Sequence, residues 1–269
     1  MTIKIILFLL TIASTYFVQG FAYSFALMTI LLSHEMGHYF TSRHYGIPAT
    51  LPYFIPFPLS PFGTFGAIIK MKGFITNKRA LFDIGVAGPL AGFIVATPFI
   101  IMGIKWSTIE VISPGTPFIQ LGDPLIFRIL QRLLIGEIPP GSDIVLHPFG
   151  YAGWVGLFVT ALNLLPVGQL DGGHVLYAVF GERSKWVFMV VITALGLTAI
   201  FYNPGWLLLV ILLIIFGMRH PQPLDTETGL DTPRKVLAFV ILLIFLLSFT
   251  PAPFPQMNFE LPQSKGIPV

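Results

Sequence analysis

The residues best suited to chemistry lie together in an apolar stretch near the N-terminus. His34, Glu35 and His38 occur within "LLSHEMGHYF" (31–40), directly after the apolar run "FAYSFALMTI". An ionisable side chain at membrane depth costs on the order of 2.5–3.5 kcal/mol on insertion scales, so this group needs a compensating partner. On a helix, His34 and His38 project from one face about one turn apart, which suits two imidazoles binding one Zn²⁺. Glu35 can then reach the metal-bound water as general base.

A second polar group supplies the missing third ligand. Catalytic zinc usually has three protein ligands and one open position. Asp171 stands in "ALNLLPVGQLDGGH" (161–174), where Pro166, Gly168 and two further glycines break an apolar segment. Irregular backbone at membrane depth survives only around a site or a cavity, and an intramembrane carboxylate is a functional candidate by default. The sequence therefore predicts Asp171 as the third ligand, and it leaves His174 open between a supporting group and a helix cap.

His44 is the competing third ligand. It stands ten residues after His34, where metzincin-type sites place their third histidine, but the glycine that turns the chain in that pattern is replaced by Thr41. On a continuous helix, ten residues correspond to about 15 Å of rise and to a different face. His44 is therefore expected to cap the end of its helix, where the helix dipole favours it.

The composition requires a largely non-aqueous environment. Hydrophobic residues make up 55% of the 269-residue chain and charged residues 10%, against roughly 25% charged residues in soluble domains. The net charge of +3 fits basic loops on one side of a membrane, and no pattern typical of nucleic-acid binding occurs. The absence of cysteine excludes thiolate metal ligands.

The elements that must position these residues are apolar segments of near-spanning length. The predicted fold is an all-α polytopic membrane protein with about six to seven transmembrane helices and a short β-hairpin or re-entrant segment at the membrane surface. The candidate spans are residues 4–19, 22–45, 81–104, 151–180, 185–202, 205–218 and 234–251. The first could be a cleaved signal peptide, but its spacing from the second favours a helical hairpin.

The organisation expected from these segments is one membrane domain followed by a tail. The domain covers residues 1–251, with a motif core at about 20–180, and residues 252–269 form a Pro-rich C-terminal tail. Lys and Arg concentrate in the loops on the side toward which His34 and His38 lie, which predicts a site nearer the cytoplasmic side of a multi-pass protein of a cell membrane or an equivalent organelle membrane.

Two connecting segments carry structure of their own. Residues 47–80 include "TFGAIIKM" (64–71), where strand-forming residues adjoin glycine, and this predicts the β-hairpin. Within 105–150, "DPLIFRILQRLLIGE" (123–137) predicts an amphipathic helix lying in the membrane interface, with Asp123 as N-cap and Pro124 at the first helical position.

Taken together, the two motifs resemble the site-2 protease family of intramembrane zinc metalloproteases. Its pattern is His-Glu-x-x-His followed by Asn-x-x-Pro-x-x-x-Leu-Asp-Gly, and Asn163, Pro166, Leu170, Asp171 and Gly172 all match. The resemblance covers roughly residues 20–250 and includes "GVAGPLAG" (85–92). The chain is most similar to family members that lack a PDZ domain and a CBS pair. It implies zinc held by His34, His38 and Asp171, with Glu35 as base, and cleavage of partly unwound transmembrane helices.

Further site residues follow for such a hydrolase. Asn163 is expected to hold the substrate backbone or the oxyanion. The segment around Phe65 could offer an edge to which an unwound substrate adds as a strand, with Gly63 and Gly66 permitting close backbone approach. The expected partners are transmembrane-helix substrates and the lipid bilayer, without nucleic acid and with an oligomeric state that the sequence leaves open. The alternatives are a metal-ion transporter and a non-catalytic zinc-binding membrane scaffold.

Overall fold

The computed structural model describes residues 2–111, 121–201, 204–217 and 223–254. It is mostly helical, as predicted, and it contains two small sheets. The elements in chain order are α1 (Thr2–His44), β1 (Tyr53–Pro56), β2 (Thr64–Ile68), α2 (Lys78–Trp106), β3 (Thr108–Val111), α3 (Leu125–Leu134), β4 (Ser142–Val145), α4 (Pro148–Asn163), α5 (Asp171–Phe180), α6 (Ser184–Phe201), α7 (Trp206–Gly217) and α8 (Thr232–Ser248).

Three helical stretches in the described part of the chain are long and apolar enough to cross a membrane. They are Thr2–His44, Lys78–Trp106 and Asp171–Phe201, the last made of α5, a short turn and α6. The other apolar helices are shorter, with 16 residues in α4, 12 in α7 and 17 in α8. A span across the hydrocarbon core takes about 20 residues. The count of six to seven spans therefore stays a prediction.

The first helix is folded back on itself at a break. Gln19 and Gly20 have non-helical backbone angles, and the φ of Gly20 is 76°, in the left-handed region that favours glycine. The hydroxyls of Thr15 and Ser24 lie 2.7 Å apart. Nine residues of continuous helix would separate them by about 13 Å, so the two halves of α1 form the helical hairpin that the sequence predicted.

The α1 hairpin holds the predicted β-hairpin in place. β1 and β2 pair antiparallel, with Phe54 opposite Ala67. At the turn between the strands, the Ser14 hydroxyl donates to the Gly63 carbonyl at 2.5 Å, and the Tyr23 hydroxyl donates to the Phe62 carbonyl at 3.0 Å. These bonds fix the position of β2 relative to the helix that carries His34.

The core lies where α1, α2 and α4 cross at very short distances. A Cβ atom on Gly37 would come within 2.4 Å of the Ala87 carbonyl oxygen, and one on Gly103 within 2.0 Å of the Gly150 nitrogen. Small residues at such crossings allow helix backbones to approach and to pack without water. Trp154 of α4 belongs to this cluster and is almost fully buried.

An ion-pair network joins the start of α8 to α2 and to the end of α1. The Arg234 guanidinium donates to both carboxylate oxygens of Asp83, at 2.8 and 2.6 Å, and to Asp231 at 2.6 Å. The Tyr45 hydroxyl donates to the same Asp83 carboxylate at 2.5 Å. Burial raises the pKa of Tyr45, and the adjacent carboxylate raises it further. The tyrosine therefore stays a neutral donor in this network.

The segment 105–150 differs from its prediction in two respects. The amphipathic helix is present as α3, but its N-cap is Pro124 and no side chain caps it, so the prediction of Asp123 as N-cap was wrong. The extended backbone of Pro124 starts the helix one residue later than expected. The segment also contains an antiparallel pair, β3 and β4, with Thr108 opposite Val145. Thr108–Val111 alternates polar and apolar residues, a strand signal that sequence reasoning missed.

The C-terminal tail lies mainly outside the described residues. Only residues 252–254 of the predicted tail 252–269 are described, so the division into a domain and a tail stays a prediction.

Candidate metal centre

Three potential ligands converge between α1 and the start of α5. The Nε2 atoms of His34 and His38 lie 3.1 Å apart, and each is close to Asp171 Oδ2, at 3.3 and 3.2 Å respectively. Both histidines are buried, and the Asp171 side chain is 16% exposed. The three residues form the one group of potential ligands found among the described residues.

The geometry of this group fits zinc. Tetrahedral zinc with bonds of about 2.0–2.1 Å to nitrogen and oxygen places its ligand atoms about 3.3 Å apart. The separations of 3.1, 3.2 and 3.3 Å among His34, His38 and Asp171 match this value on all three edges. Asp171 and Glu35 also supply two carboxylates beside neutral imidazoles. Their charge can balance a divalent cation in a buried site.

The second helix of the core orients both histidines. The Nδ1 atom of His38 lies 2.8 Å from the Ile84 carbonyl oxygen, so Nδ1 carries the proton and Nε2 is left as the ligand atom. A Cβ on Gly88 would lie 2.0 Å from His38 Nε2, and one on Gly92 would lie 3.2 Å from His34 Nδ1. These glycines leave the space that the imidazoles occupy.

Asp171 is placed by the irregular segment that the sequence predicted. The helix α4 ends at Asn163 and α5 begins at Asp171 itself. A Cβ on Gly172 would come within 2.1 Å of the Leu164 carbonyl oxygen, and one on Gly173 within 2.3 Å of the Gly168 carbonyl oxygen. The two glycines therefore let the start of α5 pack against the preceding loop. This packing turns the Asp171 carboxylate toward α1.

Glu35 lies beside the three potential ligands and near the β-hairpin. Glu35 is 6% exposed, and it lies close to His38, to Asp171 and to the Ile69 backbone. The neighbouring Lys70 carbonyl accepts from the Thr50 amide on the opposite side. Since backbone groups alternate in direction along a strand, the Ile69 amide belongs to the edge that faces away from β1.

The remaining predicted site residues differ in their surroundings. The Asn163 amide nitrogen lies 3.2 Å from His34 Nε2, at the rim of the cluster. Phe65 is 67% exposed and stacks on Phe57 at 4.3 Å. Gly63 is buried, with a φ of 76°, and a Cβ there would meet Thr15 at 2.8 Å. The close backbone approach at Gly63 is therefore made by α1.

A Cβ on Gly66 would meet nothing within 4 Å. Of the two glycines predicted for substrate approach, Gly66 is therefore the one with free space beside it. The roles of all these residues toward substrate stay predictions.

The two other histidines of the sequence argument have different surroundings. His44 is the last residue of α1, exposed, with its ring against Tyr45. The helix continues through Thr41 without a break, as expected. His174 is buried in α5, where its Cβ lies 3.0 Å from the position of a Cβ on Gly85.

Sequence reasoning missed the supporting residues on α2. "GVAGPLAG" entered only as part of a family likeness, yet Gly85, Gly88 and Gly92 lie on one helical face and contact the site. Their spacing of three and four residues was the available signal. No sequence signal could have identified the Ile84 carbonyl, because every residue carries a backbone carbonyl.

Comparisons with known proteins agree with this geometry. The model of peptidase family M50 matches residues 22–201. A rice protein (Oryza sativa subsp. indica) named "Probable zinc metalloprotease EGY2, chloroplastic" is 31% identical over 232 residues, which are 82% of this chain. Arabidopsis thaliana proteins named as probable chloroplastic zinc metalloproteases EGY2 and EGY1 are each 30% identical, over 235 and 236 residues.

The matched part is a fraction of each relative. The chain spans 41% of the rice protein and 42% of each Arabidopsis protein, while 85% of this chain is matched in both Arabidopsis comparisons. The family, the names of these relatives and the ligand geometry together confirm the prediction of zinc as the cofactor.

Proposed function

The chain belongs to peptidase family M50, and from this premise we propose that it hydrolyses peptide bonds within or near transmembrane helices of membrane-protein substrates. The observation that carries the proposal is the buried triad of His34, His38 and Asp171, with Glu35 alongside, on helices apolar enough to lie in a membrane. A soluble peptidase would have no need to keep its site among such helices.

The chain's own residues divide the work of hydrolysis. His34, His38 and Asp171 would hold zinc, and the ion would supply the Lewis acidity that activates water for attack. Glu35 accepts the proton of the attacking water and then delivers it to the leaving amine. Asn163, at the rim of the cluster, donates from its amide to the substrate carbonyl as negative charge develops there.

The substrate is a transmembrane helix that unwinds before cleavage. Helical amides are bonded within the helix, so a scissile bond becomes accessible only in extended backbone. Ile69 directly follows β2, and its backbone, on the edge that faces away from β1, lies near Glu35. An extended segment that pairs with this edge would lie alongside the general base. Phe57 and the exposed Phe65 offer an apolar surface for its side chains.

The site lies toward one membrane surface, which we assign to the cytoplasmic side. His38 is six residues from the end of α1 at His44. Arg43, Lys72 and Lys78 flank the helix ends on this side, and such basic loops are typical of the cytoplasmic face. A site near the surface needs only a short polar path for water.

The decisive experiment replaces the general base. Glu35→Gln should abolish cleavage of a transmembrane-helix substrate, a loss of at least about 100-fold, because it removes the base. Near-stoichiometric zinc should remain, because Glu35 is not a ligand. Glu227→Gln, at an exposed carboxylate far along the chain, is the control and should cleave at the parent rate.

The same variant separates the proposal from its rivals. A metal-ion transporter that uses the three ligands for transit would keep transport in Glu35→Gln, since the ion would still bind. A structural zinc site would show no chelator-sensitive cleavage in the parent protein. Cleavage by Glu35→Gln at the parent rate would overturn the assignment of the base.

A proline in β2 tests the binding of substrate as an added strand. Ala67→Pro removes a strand amide and should lower cleavage severalfold while zinc content stays unchanged. Ala67→Val keeps the amide and the strand propensity, so it should retain most of the activity. Equal cleavage rates of the two variants would exclude strand addition at this edge.

A further inference from the structure

The amphipathic helix α3 buries only part of its apolar surface. Phe127 is 1% exposed and belongs to the main core cluster. Ile126, Leu130 and Leu134 pack against that cluster from the same side of the helix. This inner face fixes α3 against the membrane-domain core.

The outer part of α3 combines exposed apolar residues with arginines. Leu125, Ile129 and Leu133 recur every four residues and are 48%, 44% and 75% exposed. At 100° a residue, they occupy an arc of about 80° that adjoins the buried face. Arg128 and Arg132 lie on the far side of this arc and are exposed, and Arg132 pairs with Glu137 at 2.7 Å. The helix thus has a continuous apolar arc, half of it uncovered, with arginines along one border.

The position of α3 along the membrane normal is set by three helix ends. The Gly122 amide, just before α3, donates to the Pro253 carbonyl beyond the end of α8 at 3.0 Å. The Trp154 indole, two turns into α4, donates to the Gly122 carbonyl at 2.7 Å. The end of α2 at Gly103 contacts the start of α4 at Gly150. The end of α2, the start of α4 and the end of α8 therefore lie at the same depth along the membrane normal. The helix α3 lies at this depth too.

We propose that the outer face of α3 is a lipid-binding surface in the headgroup region of the bilayer, with Arg128 and Arg132 binding the phosphates of anionic lipids. Leu125, Ile129 and Leu133 then lie in the outermost acyl region, as in helices that rest in the membrane interface. Arginine binds phosphate oxygens with two parallel hydrogen bonds, and its long stem allows the charge to reach the headgroups. The charge of the two arginines is what favours lipid over another apolar partner.

Fluorescent labelling at Leu133 tests the proposal directly. The chain has no cysteine, so Leu133→Cys gives one reactive thiol on the full-length protein. Val190→Cys, 67% exposed on α6, is the acyl-facing control, and Thr226→Cys, in the loop before α8, is the water-facing control. In reconstituted vesicles, a lipid with a shallow acyl-chain nitroxide should quench the label at 133 as strongly as the label at 190. Aqueous iodide should quench only the label at 226.

The outcomes that overturn the proposal are distinct. Iodide quenching at 133 equal to that at 226 would place the helix in water. Protection at 133 from both quenchers would show that a protein surface, either a second copy or another chain, covers it.

Vesicles of phosphatidylcholine with and without phosphatidylglycerol test the arginines. Quenching of the label at position 133 by the acyl-chain nitroxide should be stronger in vesicles that contain phosphatidylglycerol. The double variant Arg128→Gln, Arg132→Gln should not show this increase. An increase that persists in the double variant would overturn the assignment of the arginines. Neither arginine belongs to the proposed catalytic machinery, so this result is independent of whether the chain cleaves helices.

Discussion

The helix α2 and the α6–α7 pair are both strongly apolar, but they pack very differently. In α2, half of the most apolar stretch is buried. In Asp171–Phe201, which includes α6, only 17% of the most apolar stretch is buried. A Cβ on Gly88 or on Gly92 of α2 would lie within 3.2 Å of a histidine of the candidate metal centre. A Cβ on Gly196 of α6 would meet nothing within 4 Å.

The contrast shows what apolar composition can and cannot locate. Lipid tails are as apolar as leucine, so burial of apolar surface does not drive helices together in a bilayer. Close approach depends instead on small residues and on polar groups at the crossing. In this chain the apolar runs therefore indicate which segments lie in the membrane. The glycines that pack against other elements indicate the location of the site.

The largest effect on zinc binding is expected from the loss of Asp171. Asp171→Ala should reduce both zinc retention and cleavage by more than the roughly 10–100-fold typical of outer-shell partners, because it removes one of three converging potential ligands. His44→Ala should keep most of each, because His44 is exposed at the end of α1. Metal analysis of the two purified variants decides the assignment. An empty site in His44→Ala with a full site in Asp171→Ala would reverse it and restore a metzincin-like ligand set.

A pair of glycine substitutions compares the two regions directly. Gly88→Ala places a methyl group only 2.0 Å from His38 Nε2. The imidazole must therefore rotate out of the ligand position. The variant should fold but bind zinc at least about tenfold more weakly. Gly196→Ala has free space and should raise helix stability by up to about 1 kcal/mol.

Chelator competition measures the zinc affinity of both glycine variants, and denaturant unfolding in detergent measures their stability. Parent zinc affinity in Gly88→Ala would show that the glycine is not needed for ligand geometry. A loss of zinc in Gly196→Ala would break the proposed distinction between the two regions.

The smallest effect is expected in the loop that joins the α6–α7 pair to α8. Hydrogen bonds from the Thr228 hydroxyl and from the Thr228 and Glu227 amides lower the pKa of Asp225 below its ordinary 3.8. A carboxyl with a lowered folded-state pKa stabilises the loop above its unfolded pKa, and this contribution is lost as the pH falls through the folded value. Hydrogen exchange at the two amides should therefore show protection that declines as the pH falls below about 3.8.

The Asp225→Asn variant is the control for this loop. It has no carboxyl to titrate, so its exchange protection should not change in the same pH range beyond the intrinsic dependence. Protection in the parent that stays constant down to about pH 2 would show that the carboxylate does not hold the loop.

The sequence by itself determined the chemistry and the local geometry. The four-residue spacing of His34 and His38 required only a helix to bring both imidazoles to one face. The prolines and glycines around Asp171 determined a break in an apolar segment, and the composition determined a membrane environment. These features depend on neighbours a few residues away, so the pattern of residue types was sufficient.

The tertiary structure alone decided how the distant parts meet. The Ile84 carbonyl that orients His38, the space left by Gly88 and the Ile69 backbone near Glu35 come from segments outside α1. Backbone groups are the same at every residue and carry no signal of their partner. The crossing of α1 with α2 therefore decides which amide and which carbonyl reach the metal centre, and that crossing depends on non-local packing at Gly37 and Ala87.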